Sequence, residues 1–123
     1  MLCLVLLTST AKAQSDYFCM RYAVWSEARN QSHKTQRAVM DVIAARVRKT
    51  GQGVCKVLRV RGQFPWARWG FKRKLDEQFL EEYNMVLKMP PVFSEDSGYI
   101  YFNQQRLPWG KSTTRIGDLY FSR

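Results

Sequence analysis

The sequence predicts one small domain of the mainly α (α+β) class, in which a few short strands or extended aromatic segments follow the helices. Three observations predict it. The 123-residue length suits one domain, and aromatic residues make up 14% of the chain, enough for a compact core. Apolar residues recur at helical spacing in three segments, whereas aromatic clusters of strand type are confined to the C-terminal part.

Residues 1–13 are predicted to be an export signal. The apolar segment Leu2–Leu7 is followed by Ala11-Lys12-Ala13, the pattern of a signal-peptidase site, although no basic residue precedes the segment. The segment is too short to span a bilayer. A buried N-terminal strand is the alternative interpretation. We therefore expect residues 14–123 to be the mature domain, exported to the periplasm or the cell exterior, without a membrane span.

The first helix is expected to begin after Ser15, its predicted N-cap, and to end at about Ala28 or Arg29. Apolar residues occupy almost every side of it, as in a central core helix. They are Tyr17, Phe18, Met20, Tyr22, Ala23, Val24 and Trp25. Glu27 therefore lies at the C-terminal end of a helix that should be buried.

Two further helices follow. The second begins at Ser32 or His33 and ends at Gly51, and the third extends from about Lys74 to Lys88 before Pro90-Pro91. Their predicted buried faces are Ala38, Val39, Val42, Ile43 and Val47 in the second helix, and Leu75, Phe79, Tyr83, Val86 and Leu87 in the third.

The other segments are loops and short strands. Residues 51–70 are predicted to be rich in loops, with residues 57–60 forming a short strand or a helical turn. The aromatic clusters at residues 98–103 and 117–121 are predicted to be extended, and residues 104–115 are predicted to be the loop between them.

The chain is strongly basic, with 20 Lys and Arg against 10 Asp and Glu and a net charge of +10. Such a charge attracts nucleic acid, anionic membranes or a charged cell wall. The export signal and the shortage of repeats that combine basic and aromatic residues count against a nucleic-acid partner. With one histidine, His33, and no glycine-rich phosphate loop, we expect neither a metal nor another cofactor.

Three cysteines occur in the chain. Cys3 would be removed with the export signal, which leaves Cys19 and Cys55. An even pair in an oxidising compartment predicts one disulfide.

Glu27 is the carboxylate that best suits catalysis. Desolvation beside Trp25 and the negative end of the helix dipole should both raise its pKa, which favours the protonated acid. A protonated carboxylic acid surrounded by aromatic residues is the usual equipment for cleaving glycosidic bonds. The alternative is an exposed residue paired with a basic neighbour.

An ordered set of short motifs surrounds this glutamate. The motifs are Glu27-Ala28-Arg29, Gln36, Ala38-Val39, Ala45-Arg46-Val47, Val54-Cys55, Gln63-Phe64, Trp66, Tyr101-Phe102-Asn103, Pro108-Trp109 and Ile116-Gly117-Asp118-Leu119-Tyr120-Phe121. In order and spacing they resemble the cell-wall hydrolase family typified by the spore-cortex-lytic enzyme SleB, of the lysozyme-like superfamily. Three positions depart from that pattern: Gln31 replaces its second glutamate, Pro65 replaces a serine, and Leu119 replaces a histidine.

The resemblance implies a lysozyme-like fold and cleavage of peptidoglycan between N-acetylmuramic acid and N-acetylglucosamine. It implies a lytic transglycosylase in which Glu27 is the single catalytic residue. The implied substrate contacts are Gln63, Phe64, Trp66, Tyr101, Asn103, Trp109 and Tyr120. Packing is the alternative role for each aromatic residue among them.

Other functions stay open. A hydrolytic lysozyme or endolysin would use a second carboxylate, for which Asp41, Glu95, Asp96 and Asp118 are candidates. A non-catalytic basic protein that binds the cell wall is the third interpretation, in which Gln31 and Leu119 mark a degenerate site. Arg29 would support the glutamate or be solvated, Arg46 would support the structure, and His33 would be a loop or cap residue.

Overall fold

The computed structural model describes residues 16–59, 64, 77–108 and 112–123, which form four helices and a three-stranded antiparallel sheet. The elements are α1 (16–28), α2 (His33–Thr50), α3 (Val54–Leu58), α4 (Glu77–Leu87), β1 (Tyr101–Asn103), β2 (Thr113–Ile116) and β3 (Leu119–Ser122). The predicted mainly α (α+β) class with a few short strands is confirmed. The export signal and Ser15 lie outside the described residues.

Helix α2 has the ends that its sequence predicts. The Ser32 hydroxyl accepts a hydrogen bond from the Thr35 amide at 3.3 Å, which satisfies one free donor of the first turn. At the other end Gly51 adopts φ 69°, a left-handed conformation, and its amide donates to the Val47 carbonyl. Arg48 and Lys49 occupy the last turn, where cations complement the helix dipole.

Helices α1 and α2 both contribute fully buried residues to the core. Ala23 and Val24 of α1 and Val39, Val42 and Ile43 of α2 are all 0% exposed. Each buried valine or isoleucine contributes roughly 1.5–3 kcal/mol to folding. The burial of α1 is less complete than predicted, because Tyr17 in its first turn is 37% exposed.

A disulfide joins α1 to α3. Cys19 and Cys55 are bonded, with 5.3 Å between their Cα atoms, which confirms the predicted pair. The bond holds the short helix α3 against the N-terminal half of α1, where Cys19 is only 2% exposed. Of the two predicted forms for residues 57–60, the helical turn is correct for Val57 and Leu58, both of which are buried.

Helix α4 lies against α2. Its buried residues are Phe79, Tyr83 and Val86, at most 3% exposed, whereas Leu87 is 38% exposed, so its predicted place on the buried face is wrong. Leu87 is the last helical residue, at the exposed C-terminal end of α4. Its carbonyl and that of Val86 accept from Arg37 of α2 at 3.2 and 3.4 Å, which caps the end of α4.

The sheet has the strand order β1-β3-β2. Leu119 and Phe121 of β3 are buried against the helices, and Phe121 contacts the rings of Phe102 and Phe93 at centroid distances of 6.0 and 5.3 Å. The predicted loop over residues 104–115 is wrong at its end, because residues 113–116 form β2. The sequence does not indicate this strand because its side chains are mostly polar. They are polar because the strand is at the edge of the sheet, where Thr114 is exposed.

Within the described part of the chain, no helix combines the length and the apolar character needed to cross a membrane. In the same residues, no three His, Cys, Asp or Glu side chains are grouped so as to hold a metal ion.

Candidate active site

Glu27 lies in the last turn of α1 and is half-buried. The helix ends at Ala28, whose carbonyl accepts from the Gln31 amide at 3.0 Å and from the Gln36 side-chain amide at 3.0 Å. The end of the helix, and with it the backbone of Glu27, is therefore fixed by groups from the following loop and from α2.

Gln36 is a central polar residue of this region. Its side chain is fully buried, and its Nε2 lies 3.0 Å from Glu82 Oε1 of α4 as well as 3.0 Å from the Ala28 carbonyl. Glu82 Oε1 also lies 3.2 Å from His33 Nε2. This network links α1, α2 and α4. The sequence motifs included Gln36, but they gave no sign of Glu82, which in the sequence is an ordinary polar position of α4.

A pocket of about 220 Å³ opens at Glu27. Its lining is Ser26, Glu27, Ala28, Arg29, Asn30, Gln31 and Gln104. Among these described residues Glu27 is the only carboxylate, and the other side chains are mostly amides and a hydroxyl. Such groups both donate and accept hydrogen bonds, which suits hydroxyl and N-acetyl substituents of a sugar. Sequence reasoning missed Gln104, although it directly follows the predicted contact Asn103.

The end of the sheet lies beside this pocket. Asn103 of β1 pairs with Tyr120 of β3, which pairs in turn with Arg115 of β2. Directly opposed side chains share a face of a sheet, and the Arg115 guanidinium lies 5.5 Å from the Tyr120 ring centroid. Because Gln104 lines the Glu27 pocket, the predicted contacts Asn103 and Tyr120 belong to the sheet end that is nearest to the glutamate.

Phe64 and Tyr101 belong to a different cluster. Phe64 is 3% exposed and contacts the Phe102 ring at a centroid distance of 5.8 Å, which favours the packing role over a substrate contact. The guanidinium of Arg46 lies 5.4 Å from the Phe64 ring and 5.5 Å from the Tyr101 ring. Arg46 also donates to the Ile100 carbonyl at 2.6 Å. Burial lowers the pKa of Arg46, and its contacts indicate the structural role that the sequence suggested.

Three other predicted contacts, Gln63, Trp66 and Trp109, lie outside the described residues.

The other carboxylates have different surroundings. Asp41 is buried and accepts from Arg37 and from two backbone amides, so it serves the structure. Glu95 and Asp96 lie in an exposed turn. Asp118 accepts from the side-chain amide of Gln31 at 3.1 Å, which makes it the candidate second carboxylate with a direct bond to a residue of the Glu27 pocket.

A second pocket of about 230 Å³ is lined by Trp25, Arg29, Asn30, Gln78, Phe79 and Glu82. It shares Arg29 and Asn30 with the Glu27 pocket, so the two pockets flank the turn that follows α1. The Arg29 guanidinium lies 4.8 Å from the Trp25 ring, which covers the aromatic face. An extended substrate that occupied both pockets would cross this turn.

Comparison with known proteins gives no match: no protein-family model, no curated protein and no solved structure is similar enough to this chain to assign it to a family.

Proposed function

We propose that this protein cleaves the glycan strands of peptidoglycan between N-acetylmuramic acid and N-acetylglucosamine, with Glu27 as the single catalytic residue. One observation carries the proposal. A half-buried glutamate lies in the last turn of a helix that packs into the core, and it is the only carboxylate among the described residues that line a pocket rich in amides. The order of motifs that resembles SleB-type cell-wall hydrolases, with their lysozyme-like fold, supports the same function.

The mechanism needs one carboxyl group in two protonation states. Protonated Glu27 donates its proton to the glycosidic oxygen as the bond to C1 of the muramic residue breaks. The resulting Glu27 carboxylate then accepts the proton of the C6 hydroxyl, whose oxygen forms the new bond to C1. The products are a 1,6-anhydro sugar and a free sugar hydroxyl, and no water is consumed. Glu27 ends the cycle protonated, as it began.

The described polar side chains have roles in binding. Asn30 and Gln104 in the pocket can donate to and accept from N-acetyl groups and hydroxyls. Asn103 and Tyr120, at the adjacent sheet end, extend this surface. The net charge of +10 favours an anionic wall as the partner.

The disulfide and the N-terminal sequence support an exported location. A disulfide between Cys19 and Cys55 suits an oxidising environment. Together with the apolar segment at Leu2–Leu7, it supports export of the chain to the periplasm or the wall, where peptidoglycan lies.

Hydrolysis is the second candidate, and Asp118 is the observation that favours it. Its carboxylate is bonded to Gln31 of the Glu27 pocket, and its side chain is 79% exposed, so it has access to water. A hydrolase would incorporate one oxygen from solvent into the product, whereas the transglycosylase would not.

The test uses residues 14–123 on purified peptidoglycan sacculi, with soluble products identified by mass spectrometry in ordinary and ¹⁸O-labelled water. The wild type should release anhydro products without label. Glu27→Gln keeps the size of the side chain but cannot donate the proton, so we expect a loss of roughly 100-fold to 10,000-fold. Glu95→Gln, the same change at an exposed position, is the matched control and should keep full activity.

Each other result selects a different function. Labelled products that lack the anhydro ring would identify a hydrolase. Sacculi that are bound but left intact by the wild type would identify a non-catalytic wall-binding protein. Equal activity of the wild type and Glu27→Gln would remove Glu27 from the mechanism.

A further inference from the structure

We infer that Gln31 and Asp118 form a clasp that positions the sheet end against the C-terminal end of α1 and so fixes the geometry of the Glu27 pocket. Gln31 is then a positioning residue for catalysis. Its side chain must be an amide because it faces both the carboxylate and the backbone amide of Asp118. The catalytic part of this inference rests on the proposed function.

Two reciprocal hydrogen bonds make the clasp. The side-chain oxygen of Gln31 accepts from the backbone amide of Asp118 at 3.1 Å, and its Nε2 donates to Asp118 Oδ2 at 3.1 Å. The amide group of Gln31 thus uses its oxygen and one of its two N–H groups on a single residue of the β2–β3 turn. A carboxylate at position 31 has no donor for Asp118 and would oppose its charge.

The turn approaches so closely that one of its residues must be glycine. A Cβ atom on Gly117 would lie 2.6 Å from the Gln31 side-chain oxygen and 2.7 Å from Thr35 Oγ1. Gly117 also has φ 59°, a conformation that side chains disfavour. Thr35 is fully buried and its hydroxyl bonds to the Ser32 hydroxyl at 3.0 Å, so the surface under the turn is fixed.

The clasp is also part of the wall of the candidate site. Gln31 lines the Glu27 pocket, and so does Gln104, which follows β1. Strand β3 begins directly after the turn and pairs with β1, so a displacement of the turn moves both strands. The clasp therefore joins the helix end that carries Glu27 to the sheet end that carries Asn103 and Tyr120.

This arrangement predicts that the effect of Gln31→Glu depends on residue 118. Opposite Asp118, the new carboxylate replaces a hydrogen bond with repulsion. Opposite an asparagine introduced at position 118, it accepts from the side-chain amide of that asparagine and from the backbone amide, and the clasp is restored with its polarity reversed. Asp118→Asn alone keeps an acceptor for Gln31, although it loses the weak 3.9 Å ion pair with Arg115.

The experiment compares four forms of the full chain: wild type, Gln31→Glu, Asp118→Asn and the double variant. For each we would measure kcat and KM on a soluble glycan-strand fragment and the urea midpoint of unfolding. We expect Gln31→Glu to lower kcat about tenfold, with KM changed less than about threefold. In the Asp118→Asn background the same change should cost less than about threefold. Gln31→Glu should lower the urea midpoint in the wild-type background but not in the Asp118→Asn background.

The alternatives give different results. If Gln31→Glu lowers kcat equally in both backgrounds, the new charge acts on Glu27 directly and the clasp has no positioning role. If the effect of Gln31→Glu on the urea midpoint depends on residue 118 while kcat does not change, the clasp is structural only. If Asp118→Asn alone abolishes cleavage, Asp118 is itself catalytic. If the wild type is inactive but the effect of Gln31→Glu on the urea midpoint still depends on residue 118, the proposed function is refuted. The structural contact between Gln31 and Asp118 is then all that is supported.

Discussion

Removal of the disulfide should destabilise the protein by a calculable amount. The perturbation is Cys19→Ala with Cys55→Ala, which deletes the bond between α1 and α3 without adding a polar group. The bonded residues are separated by 36 positions. In the chain-entropy estimate, a closed loop of that size costs the unfolded chain about 13 cal/mol/K, or about 4 kcal/mol at 25 °C. The sulfur of Cys19, 2% exposed, adds a small packing loss.

A loss of about 4 kcal/mol is a large part of the roughly 5–15 kcal/mol that usually stabilises a domain. It corresponds to roughly a thousandfold change in the unfolding equilibrium. The assay is urea unfolding followed by tryptophan fluorescence and circular dichroism, for the wild type and the double alanine variant, each with and without dithiothreitol. Reductant should lower the wild-type midpoint to near that of the variant, and it should not affect the variant.

Thiol counting supplies the control. The full chain has three cysteines, so the denatured, non-reduced protein should show one reactive thiol, that of Cys3, and the reduced protein three. Three reactive thiols before reduction would show that the bond does not form. One thiol together with coincident wild-type midpoints, with and without reductant, would refute the entropic reasoning instead.

Two further predictions concern stability. Desolvation raises the pKa of the buried Tyr83 phenol above its ordinary value near 10. The folded state therefore holds the proton while the unfolded chain releases it, so this stabilisation is complete below about pH 10 and is lost as pH rises. Urea midpoints measured from about pH 8 to about pH 11.5 should fall more steeply for the wild type than for Tyr83→Phe, and parallel curves would contradict this. Asp41→Ala leaves the amides of Val92 and Phe93, now bonded at 2.7 and 3.0 Å, without their acceptor. We expect the free energy of unfolding in urea to fall by about 3 kcal/mol, against less than about 0.5 kcal/mol for the exposed control Glu95→Ala. Equal losses would show that the Asp41 carboxylate does not stabilise the protein through these two amides.

The helices could be predicted because local chemistry determines their ends. Ser32 and Gly51 have side-chain or backbone properties that favour a helix start and a helix stop whatever the tertiary context. The apolar period of α2 then identifies its buried face. These signals act within one or two turns of the chain, and a sequence displays them directly.

Strand β2 could not be predicted, because its stabilisation is not local. Its residues Thr113–Ile116 are mostly polar, and they are extended because β3 offers hydrogen-bonding partners, with Thr114 opposite Phe121. Leu119 shows the same limit at the candidate site. The motif comparison treated it as a lost polar group, but strand alternation places it with Phe121 on the buried face, where leucine is a suitable residue.

Gln31 shows why a site cannot be interpreted one position at a time. The motif comparison treated it as the loss of a second glutamate, and Asp118 was considered separately as a candidate second carboxylate. The two side chains are hydrogen-bonded to each other. Glutamate with asparagine and glutamine with aspartate are the same acceptor–donor pair with the roles exchanged. The structural role of the Gln31 side chain is therefore visible only when residues 31 and 118 are considered together.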